Sequence, residues 1–426
     1  MSAEARSSKT RRHGMPVYTE TRTLPSLPRR ASMISDAGPL SVPPLLAGAA
    51  RVDVTPSGPV NICGFKERQS TGIHDRLYVR ALVLDDGERR MAIVSWDKLN
   101  ACSFERMREI RNRIHNETGI PPHAVLVNVT HTHSGSEGPF ADATVEAVAR
   151  AWESRRGARI GIGSRMIYGI GSNRRLPDGS GLWGSREPNP HAVMDNECGV
   201  IRVEDERRNP IAAVATYSSH ASVVDENGSL LSGDYAGIAM QEIEKELGAK
   251  AVSLFLQGCA GDTGTHTFRR SRTIPEAERL GARFAGKVLG IFRRIDVTSS
   301  VRLEADAMMI LLPQKKLDPG KPQTVPPITE SDGIPVEIQA LLIGESLIAV
   351  VGSMEAYAAI GLEVKSASHF ARTFTLAYSN GPWIGYLPSA HRYSVADPDA
   401  VLTPFAPEAP GVLVGEVLTL MRKVGK

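Results

Sequence analysis

Two histidines separated by one threonine, His131-Thr132-His133, follow the apolar run Val125 to Val129 and lead into Ser134-Gly135. In an extended segment the side chains at i and i+2 point the same way, so both imidazoles can enter one cavity and offer nitrogen to a divalent ion. The plainer alternative is a pair of loop histidines, one of them bonded to backbone. Their setting favours the metal, because the small and hydroxylated neighbours give a packed pair little to pack against, and a polar turn after a buried strand is a usual place for function. His220 repeats the situation after the apolar run Ile211 to Tyr217. Three histidines at strand ends are the minimum for a catalytic metal that keeps one position open for water.

Nucleophilic chemistry is less well supported. Ser134 follows the histidines, but the chain has no GxSxG elbow. Cys259 lies at a strand end beside glycines, with nothing adjacent in sequence to lower its pKa. The turn Gly258-Cys259-Ala260-Gly261-Asp262 lacks the Lys-Ser/Thr of a phosphate-binding loop, although its small residues let backbone approach a site closely.

The elements that must position these groups read as interleaved strands and helices. Ala81 to Leu84 and Met91 to Trp96 bracket the turn Asp85-Asp86-Gly87. Ser103 suits the N-cap of a helix with Met107, Ile110 and Ile114 on one face and a stop near Gly119. Further helices are expected over 141–155, from Ala236 to Gly248, over 275–293, and opening near Glu355. Further strands are expected over 252–256, 338–351 and 374–378. This alternation predicts an α/β class with a mixed sheet, forming one large metallohydrolase-type catalytic domain over 46–426. Residues 313 to 335 carry six prolines and read as a long loop within it.

Composition narrows the function. The net charge of +3 comes from residues 1–45, where seven Lys/Arg face three Asp/Glu; that basic tail is expected to be disordered. The body, at −1, has no electrostatic footprint for nucleic acid. Four scattered cysteines without a CxxC pair argue against a disulfide framework and against a thiolate zinc cluster. No run of about 18 apolar residues predicts membrane insertion, and no secretory signal is recognisable, so a cytoplasmic location is expected.

Several segments, in order, resemble the neutral (alkaline, non-lysosomal) ceramidase family of zinc amidases. They are Gly72 to Leu77 with Arg80-Ala81; Thr130 to Gly135; Ser172-Asn173-Arg174-Arg175; His220 with Ser232-Gly233-Asp234; Gln257 to Asp262; and Asn380 with Ile384-Gly385-Tyr386. The resemblance runs from about Ala49 to Tyr393, and the THTHSG segment is its most specific part. It implies one zinc ion per chain, held by His131, His220, Glu355 and Tyr386. It also implies that His133 meets the substrate instead of the metal, that Arg174 contacts the substrate, and that Asp262 accepts a proton or orients a neighbour.

The sequence departs from the family pattern in several places. The family's Gly-Asp-Val-Ser reads Gly261-Asp262-Thr263-Gly264, its Gly-Glu reads Met354-Glu355, and Asn380-Gly381-Pro382-Trp383 carries an extra residue before Tyr386. A serine nucleophile at Gly264 is impossible, which leaves metal-activated water. Because the sequence continues only about 40 residues past Tyr386, the immunoglobulin-like domain of the resembling ceramidases is expected to be absent. The resulting expectation is zinc-dependent hydrolysis of an amide, or N-acyl, bond in a small soluble substrate, with His133, Asp262 and Tyr386 as catalytic groups. An ester or lactone hydrolase and a metal-stabilised binding protein are the alternatives.

Overall fold

In the computed structural model, which describes residues 44–176, 192–225, 227–316, 333–395 and 397–426, the apolar runs become strands of two sheets. The larger sheet contains β1 Leu46–Asp53, β2 Tyr78–Asp85, β3 Arg90–Trp96, β4 Val125–Val129, β5 Arg156–Met166, β6 Glu197–Asp205, β7 Pro210–Tyr217 and β8 Val252–Gln257. Their spatial order is β8-β7-β6-β5-β1-β2-β3-β4. The pairs β7–β8 and β3–β4 run parallel and the remaining pairs antiparallel, so the sheet is mixed, as expected.

Both faces of this sheet are covered, and the period-two pattern shows it. Along β7, Ala212 and Val214 face one core together with Leu254 and Leu256 of β8, while Ala213, Ala215 and Tyr217 face a second core with Phe255. The second core is closed by α3 Asp234–Leu247 and α4 Ile274–Phe292, through Tyr235, Met240, Leu280 and Phe284. The first core is shared with a four-stranded sheet, β9 Leu303–Leu312, β10 Ile334–Ile343, β11 Ser346–Val350 and β12 Arg372–Leu376, in that order. Helix α6 Ala409–Val424 adds Leu413, Val417 and Leu420 to the same core.

Helix boundaries follow local chemistry. Ser103 accepts a hydrogen bond from Arg106 N at the start of α1 Phe104–Thr118, and Gly119 ends it at φ 70°. Helix α2 spans Phe140–Glu153. One boundary differs from expectation. Glu355 does not open a helix; Glu355–Ala356 is a two-residue strand paired with Tyr386–Leu387, and α5 begins only at Ala358, ending at Ser366. The expected disordered tail lies outside the described residues except for its last two positions. Most of 313–335 lies outside them too, and its described end is already the strand β10. Among the described residues no helix is long and apolar enough to cross a membrane.

What positions the site is the meeting of strand ends. Bridges Asn128↔Ser379 and Gly258↔Leu376 join the ends of β4 and β8 to the end of β12. The buried Asn128 side chain fastens the junction, accepting from Gln257 N at 2.7 Å and donating to Ala377 O at 2.8 Å and Ser379 Oγ at 2.9 Å. The segments after β4, β7, β8, β11 and β12 therefore share one region, the usual location of sites in α/β sheets.

Candidate metal centre

Two residues past β4, His131 is buried and its ring Nδ1 lies 2.7 Å from Leu99 O. Past β7, the Nδ1 of His220 lies 2.7 Å from Ala260 O and 3.0 Å from Thr263 O. A carbonyl oxygen can only accept, so each Nδ1 carries the proton and each Nε2 presents a lone pair. Neither Nε2 has a hydrogen-bond partner. Facing them is Glu355 Oε2, 3.5 Å from His131 Nε2 and 2.9 Å from His220 Nε2. Three lone pairs pointed at one another without a proton between them repel, unless a cation occupies the space they surround. The donor set fits a divalent metal on that ground.

His133 joins the cluster. Its ring centroid is 4.9 Å from that of His131 and 5.7 Å from that of His220, and both of its ring nitrogens are buried without a partner. One ligand atom from each of the three histidines lies within 4.8 Å of the others. The convergence expected from strand alternation is thus present, but it arises differently. His131 leaves the extended region at φ 58°, so a turn brings the two rings together.

The electrostatics suit ligation. Burial, followed by the charge of Arg174, depresses His220 to about 4. Burial, reinforced by the neighbouring imidazoles, holds His133 well below its ordinary value. Burial alone would raise Glu355, yet the imidazoles of His131 and His220 hold it well below the usual carboxylate range. A neutral His220 beside an ionised Glu355 is the pairing that a metal requires. Burial pushes Tyr386 up to about 12, against the opposing pull of Arg174.

The surrounding residues fix the carboxylate. Trp383 Nε1 donates to Glu355 Oε1 at 2.9 Å, the Tyr378 hydroxyl lies 3.4 Å from Oε2, and Glu355 N donates to Gly385 O at 2.9 Å. The parallel pairing puts Tyr386 directly beside Glu355, and its hydroxyl accepts from the buried Arg174 at 3.1 Å. Arg174 is itself anchored on Gly261 O at 2.7 Å.

Of the residues singled out from sequence, the structure brings His131, His133, His220, Glu355, Tyr386 and Arg174 together. Asp262 stands apart. Both its oxygens are engaged, by Ala358 N at 2.8 Å and Asn173 Nδ2 at 2.7 Å, and it lines a different cavity with Arg175 and His391. Tyr378, Trp383 and the Leu99 carbonyl belong to the site and were not expected. The aromatic pair carries no spacing signal, and a carbonyl carries no sequence signal at all. Two cavities meet at the cluster, of about 320 and 430 Å³, and share Gly64, His133 and Tyr386.

No family model matches the chain. Neutral ceramidase A of Dictyostelium discoideum is 26% identical over 254 residues, covering 52% of this chain and 36% of that protein. The neutral ceramidase of Oryza sativa subsp. japonica is 23% identical over 48% of this chain and 29% of its own length. The neutral ceramidase of Mycobacterium tuberculosis is 22% identical over 48% and 36%. The chain therefore spans about a third of the length of the curated relatives it matches. Its fold is shared with the crystal structure of neutral ceramidase from Pseudomonas aeruginosa, at TM-score 0.71 and 17% identity over 89% of this chain and 75% of that one. The chain is thus similar in sequence, over about half its length, to neutral ceramidases, and it shares the fold of one.

Proposed function

We propose that the chain is a metal-dependent hydrolase of an N-acyl amide bond, with zinc as its ion. The observation that carries this reading is the convergence of two buried imidazole nitrogens and a carboxylate oxygen on one point. Imidazole and carboxylate together suit zinc better than magnesium or calcium, which prefer oxygen donors. The similar proteins are named for ceramide, itself an N-acyl amide, and that likeness supports the bond type.

A bound zinc ion would polarise the scissile carbonyl and make water ionisable near neutral pH. His131, His220 and Glu355 hold the ion, each oriented by a second contact. Tyr386 completes the donor set, since Arg174 and a nearby dication favour its phenolate against the burial that opposes it. His133, neutral and without a protein partner on either nitrogen, is placed to hydrogen-bond the carbonyl oxygen or the departing amine. Asp262 holds Asn173 and the start of α5 in place, and so acts as a positioning residue.

Elemental analysis of the purified protein is expected to give one zinc per chain. Chelation is expected to abolish hydrolysis of N-acyl amides, and added zinc to restore it. Full activity in a metal-stripped preparation would sink the proposal.

A further inference from the structure

The two oxygens of Glu355 have unlike surroundings. Oε2 faces the imidazole nitrogens of His131 and His220, whereas Oε1 accepts from Trp383 Nε1 at 2.9 Å. The Tyr378 hydroxyl, 3.4 Å from Oε2, is long for a hydrogen bond, so the indole is the group that holds the carboxylate from outside the donor set.

The segment that delivers Trp383 is fixed at both ends. It starts at Asn380, held in the left-handed region at φ 64°. Asn380 N donates to Val127 O at 2.9 Å, and its side chain accepts from Val127 N and donates to Gln339 Oε1, both at 2.9 Å. At Gly381 a Cβ would collide with the Phe104 ring, and Pro382 has its φ set by its own ring. Ile384 is buried, and at the far end Gly385 O accepts from Glu355 N while Tyr386 pairs with Glu355. The same segment therefore grips Glu355 twice, by backbone and by the indole.

The choice of donor matters. An indole N–H donates and has no lone pair to offer, whereas a tyrosine or histidine in its place could turn towards the metal and become a ligand. An oxygen that accepts such a bond has less charge left for a cation and stays where the donor holds it. We propose that Trp383 is the positioning residue that commits Glu355 to the metal through Oε2 alone, and so keeps a coordination position free for water. This rests on the metal-site reading above. The indole also lines the smaller cavity with Leu99 and Leu402, so its replacement changes a wall as well as a donor.

The test separates wall from donor. Zinc affinity of the metal-stripped full chain is measured by competition with a chelator, for the native protein, Trp383→Phe and Trp383→Gln. Phenylalanine keeps a ring and loses the N–H, whereas glutamine loses the ring and carries an amide N–H at a similar reach. Trp383→Phe is expected to lower zinc affinity roughly 10–100-fold, as loss of an outer partner of a metal ligand does, and Trp383→Gln to recover most of it. A purely structural role gives the reverse order, because glutamine disturbs the packing more. Should the phenylalanine variant fold poorly, the indole N–H resonance of the native chain, identified by its absence from Trp383→Gln, is expected to exchange slowly with solvent and to shift when zinc is added. Native affinity in Trp383→Phe, or an indole resonance indifferent to zinc, overturns the role of Trp383 and leaves the metal site standing. A native chain that binds no zinc overturns the metal site itself.

Discussion

At the scale of single residues, the centre is marked by backbone conformations that L-residues adopt rarely. Among the described residues, five non-glycines have positive φ, and three of these, His131, Tyr378 and Asn380, lie in the centre or directly beneath it. Each costs on the order of 1 kcal/mol, and such residues persist where surrounding contacts hold them. Here Leu99 O fixes the His131 ring, and Asn380 is held by Val127 N and Gln339 on its side chain. The division of labour between the histidines follows from their partners. His131→Ala and His220→Ala remove a nitrogen oriented by a carbonyl, so each is expected to lower zinc stoichiometry measurably by elemental analysis. His133→Ala is expected to keep the zinc while reducing kcat by about a hundredfold or more, in the range of lost oxyanion donors. Loss of zinc from the His133 variant would make it a ligand instead. His131 and His220 were legible only together, because three histidines placed after apolar strands make up the minimum ligand set of a catalytic metal. Glu355 and Tyr386 were legible only through family resemblance, and Tyr378 and Trp383 not at all, because they reach the carboxylate from segments that nothing local in the sequence brings together.

At the scale of elements, the alternating apolar runs identified most of the main strands, and the caps identified the helix ends, since both are local signals. The short strand at Glu355–Ala356 was expected as a helix start, because its pairing energy comes from Tyr386–Leu387 and not from its own residues. The small-residue turn after β8 was legible as a place of close approach, and the structure shows what it approaches. Gly261 N donates to Ala356 O at 2.9 Å, and a Cβ on Gly261 would stand 2.3 Å from Glu355 O. Because the obstacle is backbone, no side chain can rotate away. Gly261→Ala is therefore expected to push the Glu355 strand outward, costing about 1–3 kcal/mol of stability as overpacking does. The thermal midpoint should fall and zinc affinity should fall with it. Retained zinc affinity at a lowered midpoint would separate the turn from the ligand it abuts. Asn128→Ala tests the same junction from β4. It leaves Gln257 N buried without its acceptor and is expected to cost about 2 kcal/mol, seen in denaturant unfolding.

At the scale of the whole molecule, stability carries a pH dependence that originates away from the centre. Asp75, within the Gly72–Leu77 segment, is mostly buried, and burial raises its pKa to about 6 even though Ser232 and the Gly233 amide donate to it. In the unfolded chain its ordinary value is 3.8. Between those two values the folded protein keeps a proton that the unfolded chain has released, so the folded state binds more protons and stability falls as pH rises. The loss begins near pH 4, is complete above about 6, and amounts to roughly 2–3 kcal/mol from a shift of that size. Asp75→Asn keeps an oxygen for the Gly233 amide and removes the ionisation. The difference in unfolding free energy between variant and native protein should therefore move in favour of the variant from pH 4 to pH 7, and then level off. Denaturant unfolding of the metal-stripped chain at a series of pH values reads this directly. A difference that stays flat across that interval would mean that Asp75 is solvated enough in the fold to ionise normally, and that its contacts with Ser232 and Gly233 outweigh its burial.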